Sequence, residues 1–374
     1  DKKKILVSCH DPAGGEILST IVKEFAFLNF DIYPIVSGHS SVIFKRNKIK
    51  TLSVNQDVDI NYLKKKIEYI KPSLIITGAG TYNFLEHNVR VVAKKLNIKQ
   101  ISILDYWCEY GNRFKRKVNN KNTYSVPNWI FTMDKYSKRN IINELGKNRL
   151  KNSFFFINGS INLEKIKKNF KSKRVAKKEN KNLPIKIIFF SDAIFAKNDG
   201  TKATLEAQCL DAKGNSIFGY TPISILEKIL TRLDNLSKLY KQKIIFTIKP
   251  HPRESVSKLE PFINNRKNYK NIILLIKKDI TAERLIFEND VIFGMASVAL
   301  FEAAIINKPS VSIQIGLKEK KIPDPCVSNK FKYTNSVFTD YKLNKVLKDV
   351  ILKNYKNIII KKYRKKLTIE GSLK

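Results

Sequence analysis

In the run IIFTIKPHPRESVSKLEP (residues 244–261), Lys249, His251, Arg253 and Glu254 are set around Pro250 and Pro252. Each proline fixes its own φ and pushes the residue before it out of the helical region, so Lys249 and His251 are expected extended, on a stiff turn at a strand end. Lysine, histidine and arginine on one such turn can hold an anion through charge-assisted hydrogen bonds. His251 can in addition protonate a leaving phosphate. The plain alternative is a stiffened turn whose charges are solvated.

A second stretch, DVIFGMASVALFEAAIINKPSV (residues 290–311), predicts a buried strand ending at Gly294 and a helix opening near Ser297. The free N–H groups of such a helix start suit a phosphate or a hydroxyl. Glu302 lies further along in apolar surroundings, and a buried carboxylate needs a partner, either ribose hydroxyls or a neighbouring Lys or Arg.

The amino-terminal half holds two more. HDPAGGE (residues 10–16) follows the first strand. Gly14 and Gly15 allow close approach to a helix start that suits a phosphate or sugar oxygen, while Asp11 is either a helix cap or, with His10, a candidate base. The stretch is not GxGxxG, so it does not signal a dinucleotide. In LDYWCEYGNRF (residues 104–114), Asp105, Glu109 and Arg113 sit among Tyr106, Trp107, Tyr110 and Phe114. Rings that stack on a sugar beside an acid that takes its proton would suit an acceptor hydroxyl. The alternative is aromatic packing with Asp105 paired to Arg113. Asp11 ranks ahead of Asp105 as a base because glycines open its loop.

The elements that must position these residues alternate. Lys4–Ser8, IYPIV, SLIITG, QISILD, WIFTM and SFFFING read as strands, separated by helical EILSTIVKEFAFL, NYLKKKIEYIK and HNVRVVAKKLN. After the polar, basic run from Glu164 to Asn182 the pattern restarts with KIIFFSD, a long amphipathic helix, KIIFTIKP, NIILLI, DVIFG and PSVSIQI. This is the signature of parallel sheets covered on both faces. We expect an amino-terminal Rossmann-like domain over residues 1–165 and a basic linker over 166–183. A second Rossmann-like domain is expected over 184–350 and a basic helix over 351–374, packing back on the first domain. Residues 199–218 fit no period and are expected as a long loop over the cleft between domains.

The net charge of +38, from 71 basic and 33 acidic residues, attracts anions over the whole surface. Crowding with Lys, Asn and Ile explains much of it as composition. An anionic membrane surface or an acidic glycan is the next reading, and nucleic acid is not expected, because no recognition motif is present. Four scattered cysteines without a CxxC pair suggest neither a zinc ribbon nor a disulfide framework. The charged start DKKKILVSCHD does not read as a secretory leader, and the apolar run at 291–306 contains Glu302 and is short for a membrane span. A cytoplasmic protein is expected, held at the inner face of the membrane by its basic linker and the final KKYRKKL.

Together the third-quarter stretches resemble the carboxy-terminal half of GT-B glycosyltransferases, most closely the inverting bacterial enzymes of the sialyltransferase and Kdo-transferase type that use CMP-activated acid sugars. Those families carry a His-Pro motif and, further on, a Ser motif; here His251-Pro252 is followed by Ser297 at the family's interval. KPHPRE also recurs in neighbouring GT-B groups, including glycerophosphate transferases. The resemblance covers about residues 184–315. Two departures stand out: Ser297 is single where several of these families have a pair, and the acidic-pair-then-Gly motif that carries the sialyltransferase base is met only in part, by Glu109-Tyr110-Gly111. The resemblance implies a GT-B fold of two Rossmann-like domains facing a central cleft. It also implies transfer with inversion from a nucleotide sugar to a glycan or glycolipid hydroxyl, with no cofactor and no metal. Lys249, His251, Arg253, Glu254, Gly294, Ser297 and Glu302, with Gly14 and Gly15, would line the nucleotide-sugar site. A UDP-sugar 2-epimerase, hydrolase or transferase, and a non-catalytic binder of polyanions, are the competing readings.

Overall fold

The computed structural model describes residues 2–55, 57–81, 84–172, 183–192, 216–251, 254, 256, 259–265 and 269–360. They form two compact units that divide between Lys165 and Ile166.

The first unit is built on seven parallel strands: β1 (Lys4–Cys9), β2 (Asp31–Val36), β3 (Leu52–Ser53), β4 (Leu74–Thr77), β5 (Lys99–Ile103), β8 (Trp129–Thr132) and β9 (Phe154–Ile157), in the order β3-β2-β1-β4-β5-β8-β9. Two further strands, β6 (Lys115–Val118) and β7 (Lys121–Tyr124), make a separate antiparallel hairpin. Successive side chains of a strand point to opposite faces. Thus Ile5, Val7 and Cys9 pack with Ile17 and Leu18 of helix α1 (Pro12–Phe27) and Phe44 of α2 (Gly38–Arg46). Leu6 turns the other way, onto Leu63 and Ile67 of α3 (Ile60–Ile70) and Val89 and Val92 of α4 (Leu85–Lys95). A sheet covered on both faces needs apolar residues at every strand position, which is why KILVSC reads as one unbroken run. Helices α5 (Lys135–Leu145) and α6 (Lys147–Leu150) precede β9.

The linker expected over 166–183 begins instead as a helix, α7 (Ile161–Ser172). Ile166 is 3% exposed and Phe170 packs beside it in the second unit's core. Two apolar residues one helical turn apart were enough to anchor a stretch that composition marks as polar. Residues 173–182 lie outside the described residues, as do 199–215 of the expected long loop.

The second unit has six parallel strands, β10 (Ile185–Phe190), β11 (Ile244–Lys249), β12 (Ile272–Ile276), β13 (Val291–Gly294), β14 (Ser310–Ile313) and β15 (Asn335–Val337), ordered β12-β11-β10-β13-β14-β15. Ile187 and Phe189 pack on α8 (Pro222–Leu239), while Ile188 and Phe190 pack on α10 (Ala282–Glu288) and α11 (Val298–Ile305), α9 (Glu260–Asn264) lying between β11 and β12 in sequence. A four-residue helix, α12 (Val327–Lys330), precedes β15. The basic helix expected to run on through 351 stops there: α13 (Asp340–Ile351) ends, and Lys353 adopts a left-handed φ of 56° that helical backbone excludes. The rest of that expected helix, 361–374, lies outside the described residues. Among the described residues no helix is long and apolar enough to cross a membrane.

Candidate functional site

In each sheet the strand order reverses beside the central strand, at β1/β4 and at β10/β13. Ligands of open parallel sheets bind beyond the carboxyl ends of the strands at such a reversal. Of the residues singled out from the sequence, those after β1 and β13 fall at these two places, while Asp105 and Glu109 follow β5 and Lys249 and His251 fall at the end of β11, the strand beside β10.

In the first unit, β1 runs into His10 and Asp11, and Asp11 caps α1 by accepting from the Gly14 amide at 2.6 Å. The cap places one carboxylate oxygen on the helix start. The other faces the loop after β4: a Cβ added to Gly80 would overlap both the His10 ring and the second Asp11 oxygen. Gly14 and Gly15 serve close packing here, Gly15 against Ser40 and Ile43 of α2.

His10 is 6% exposed. Its Nδ1 lies 2.7 and 2.8 Å from the two oxygens of Glu86, in the first turn of α4, and its Nε2 lies 3.0 Å from the Thr81 carbonyl oxygen. Glu86 is fully buried. Burial would lower the His10 pKa, but the Glu86 charge and hydrogen bond outweigh it, and the value is raised; burial would raise that of Glu86, and His10 pulls it below the usual range. Asp11 is pushed up to about 6, first by burial and then by the charge of Asp105, with the His10 charge working the other way.

The loop after β4 is held by three arginines. Arg90 Nη1 donates to the Gly78 carbonyl at 3.3 Å, Arg113 Nη1 to Ala79 at 2.7 Å and Arg116 Nη2 to Gly80 at 2.8 Å. All three side chains are buried. Arg113 also pairs with Asp105 and donates to the Cys108 carbonyl at 3.0 Å. Asp105 is thus a paired structural carboxylate, the alternative weighed from the sequence. One of its oxygens, Oδ1, is committed to that guanidinium. The rings around it are mostly core, since Trp107, Tyr110 and Phe114 are 3%, 3% and 0% exposed. Trp107 Nε1 donates to Asp134, the cap of α5, at 2.8 Å. Glu109, by contrast, is half-buried and holds a left-handed φ of 52°, an outlier of the sort found at functional sites.

In the second unit, Lys249 is the last residue of β11, and its ammonium donates to the Lys278 carbonyl. Burial lowers its pKa, against the charge of Asp279. His251 is half-buried. Its amide donates to Glu254 Oε2 at 3.2 Å, and the Glu254 amide donates back to the His251 carbonyl at 2.8 Å. Glu254, 8% exposed, thus braces His251 through both of these bonds. Arg253 lies outside the described residues. Gly294 ends β13, where a Cβ would stand 3.2 Å from the Phe190 carbonyl. Ser297 caps α11, accepting from Ala299 at 3.3 Å. Glu302 is half-buried rather than enclosed, although Phe301 and Ala303 on either side of it are buried.

The sequence reading missed Glu86, Arg90, Arg116 and Asp192. Asp192, directly after β10, accepts from the Ala296 amide at 2.8 Å and ties the end of the central strand to the start of α11. A signal existed for Glu86 and Arg90: ionisable residues one turn apart on a helix otherwise apolar on that face, next to TGAG.

The family model for alpha-2,8-polysialyltransferases matches residues 36–313. No curated protein matches the chain by sequence. Among solved structures, the chain is similar to the UDP-GlcNAc 2-epimerase from Methanocaldococcus jannaschii, at 14% identity and a TM-score of 0.59 over 100% of this chain and 98% of that one. It is similar to MnaA of S. aureus, solved with UDP, at 12% identity and 0.57 over 93% and 88%. MurG of Acinetobacter baumannii matches at 10% identity and 0.53 over 99% and 97%. At such identities the likeness speaks to the fold, which is GT-B.

Proposed function

Because the chain belongs to the alpha-2,8-polysialyltransferase family and is a glycosyltransferase, we propose that it moves an acid sugar, a nonulosonic acid or Kdo-like residue activated by CMP, onto a hydroxyl of a bacterial surface glycan or glycolipid, with inversion and without a metal. Residues 1–165 carry the acceptor side and 184–350 the donor. The observation that carries this reading is the family match over residues 36–313; each unit by itself agrees with it, the first by a carboxylate of raised pKa at the end of β1 and the second by a Lys-His turn and a helix start after β11 and β13.

In the reaction, the acceptor oxygen attacks the anomeric carbon while its proton passes to Asp11. The bond from that carbon to the phosphate oxygen breaks, and the electron pair leaves with CMP. Lys249, His251 and Arg253 supply positive charge to the departing phosphate, with the dipole of the helix that opens at Ser297, which is the work a metal does elsewhere. A base that titrates near 6 is largely ionised at neutral pH yet still basic enough to take a proton in the transition state. The basic linker and carboxy-terminal cluster hold the enzyme at anionic lipid, where such acceptors reside, each basic residue contributing about 1 kcal/mol.

A second base is favoured by its own observation. Glu109 stands in the left-handed backbone conformation, and the family match begins at residue 36, which takes in Glu109 and leaves out Asp11. The test is transfer from CMP-sialic acid in Asp11→Asn, Glu109→Gln and His251→Ala, with CMP binding followed separately by thermal shift against CDP, UDP and GDP. We expect Asp11→Asn and His251→Ala each to lose on the order of 10²–10⁴-fold. Full turnover in Asp11→Asn with loss in Glu109→Gln moves the base to Glu109. Stabilisation by UDP and not CMP replaces the donor with a UDP-sugar.

A further inference from the structure

His10 directly precedes the proposed base, yet the reaction above gives it no part. Both of its ring nitrogens face acceptors: Nδ1 the two Glu86 oxygens at 2.7 and 2.8 Å, Nε2 the Thr81 carbonyl oxygen at 3.0 Å. A neutral imidazole has a single N–H and would leave one nitrogen lone pair against an acceptor lone pair; only the imidazolium satisfies both. Glu86, fully buried, is the carboxylate that balances it. The polar atoms of His10, Asp11 and Glu86 lie within 4.8 Å of one another, so this cation stands beside Asp11. Gly80, whose carbonyl Arg116 holds, abuts the His10 ring and the Asp11 carboxylate together.

We propose that His10 is a positioning residue: pinned as an imidazolium between Glu86 and the Thr81 carbonyl, it holds the Asp11 carboxylate at the end of β1 in its ionised, proton-accepting form. The inference rests on Asp11 as the base. The charges that face His10 are Glu86, Asp11 and Arg116, and the titratable groups that face Asp11 are Asp105, Arg113 and Cys9 and, from its own cluster, His10 and Glu86. Of the last two, the His10 charge acts more strongly on Asp11 than the opposing charge of Glu86, so removing the histidine cation makes Asp11 harder to ionise.

Two measurements test it. Nitrogen-edited NMR of the four imidazoles, His10, His39, His87 and His251, should show one ring doubly protonated above pH 7, identified as His10 by its absence from His10→Gln. A His10 ring that loses its proton at or below its ordinary value overturns the proposal. The pH profile of transfer from CMP-sialic acid in His10→Gln should keep its shape with the acid limb moved up by about one unit. Turnover then falls about tenfold on that limb and returns as the pH is raised. A loss of equal size at every pH overturns the proposal, since that is what misfolding of the loop alone would give. If His10→Gln does not fold, the neutral pair His10→Gln/Glu86→Gln removes both buried charges, and its limb should move the same way by less; an unmoved limb again overturns it. Asp11→Asn separates the two levels. Full turnover there removes the base reading and the inference with it, whereas loss there with an unmoved limb in the His10 variants removes the inference alone.

Discussion

Replacing Arg113 with methionine should expose how much of the first unit depends on a single buried guanidinium. The side chain is 5% exposed and makes the Asp105 ion pair together with hydrogen bonds to the carbonyls of Ala79 and Cys108. Burial disfavours its charge, but Asp105, with Cys108 and Asp11, more than offsets this and its pKa is raised, so the cation is bound firmly. Methionine keeps most of the volume but leaves the Asp105 side chain, 7% exposed, without its counter-charge. Removing one partner of a buried pair costs about 3–5 kcal/mol. For a unit of this size that corresponds to a melting point lower by roughly 6–20 °C. The assay is thermal unfolding followed by a probe in the first unit, such as Trp107, for Arg113→Met, Asp105→Asn and the double variant. The double variant should recover part of the loss, because the orphaned carboxylate is gone. A melting point for Arg113→Met within about 2 °C of the parent, or strictly additive singles, would show that the pair is not a buried, coupled unit.

Gly80→Ala should cost about 1–3 kcal/mol by overpacking and lower transfer with it, because the new methyl meets His10 and Asp11, whereas Gly78→Ala, whose methyl finds ordinary contacts from 3.4 Å outward, should melt like the parent. The His10–Glu86 pair has a stability window. His10, with a raised pKa, contributes fully below its unfolded value of 6.5 and loses that contribution as the pH rises through its folded value. Glu86, with a lowered pKa, contributes above 4.5 and loses it as the pH falls through its folded value. The melting-point gap between parent and Glu86→Gln should therefore be widest between those limits and narrow on both sides; a gap independent of pH would contradict the pairing. Asp192→Ala should loosen the start of α11 by removing the acceptor of the Ala296 amide, at about 1–3 kcal/mol, and should weaken CMP more than it slows chemistry in single-turnover measurements.

Much of the architecture is written in local pattern. Unbroken apolar runs such as KILVSC and KIIFFS can be accommodated only by strands buried on both faces, and their alternation with amphipathic helices forces parallel sheets. The prolines around His251 specify a stiff turn whatever surrounds them, and Asp11, Ser297 and Thr221 announce helix starts because a side-chain oxygen there satisfies an amide of the same turn. These are interactions between residues near in sequence, so the sequence alone determines them. It also carries the charge of +38, which no folding changes.

What the chain does with its buried charges is decided elsewhere. His10 meets Glu86 across 76 positions, and Asp192 meets Ala296 across 104, and no spacing rule reaches that far. That Asp105 pairs with Arg113, and that Trp107 is buried with its indole on the cap of α5, depended on where Arg113 and Asp134 came to rest. Burial makes the difference physical: in water each of these groups would be solvated and ordinary, and only the exclusion of solvent by the assembled sheet and helices turns a neighbouring charge into a shifted pKa and a missing partner into a cost of kilocalories.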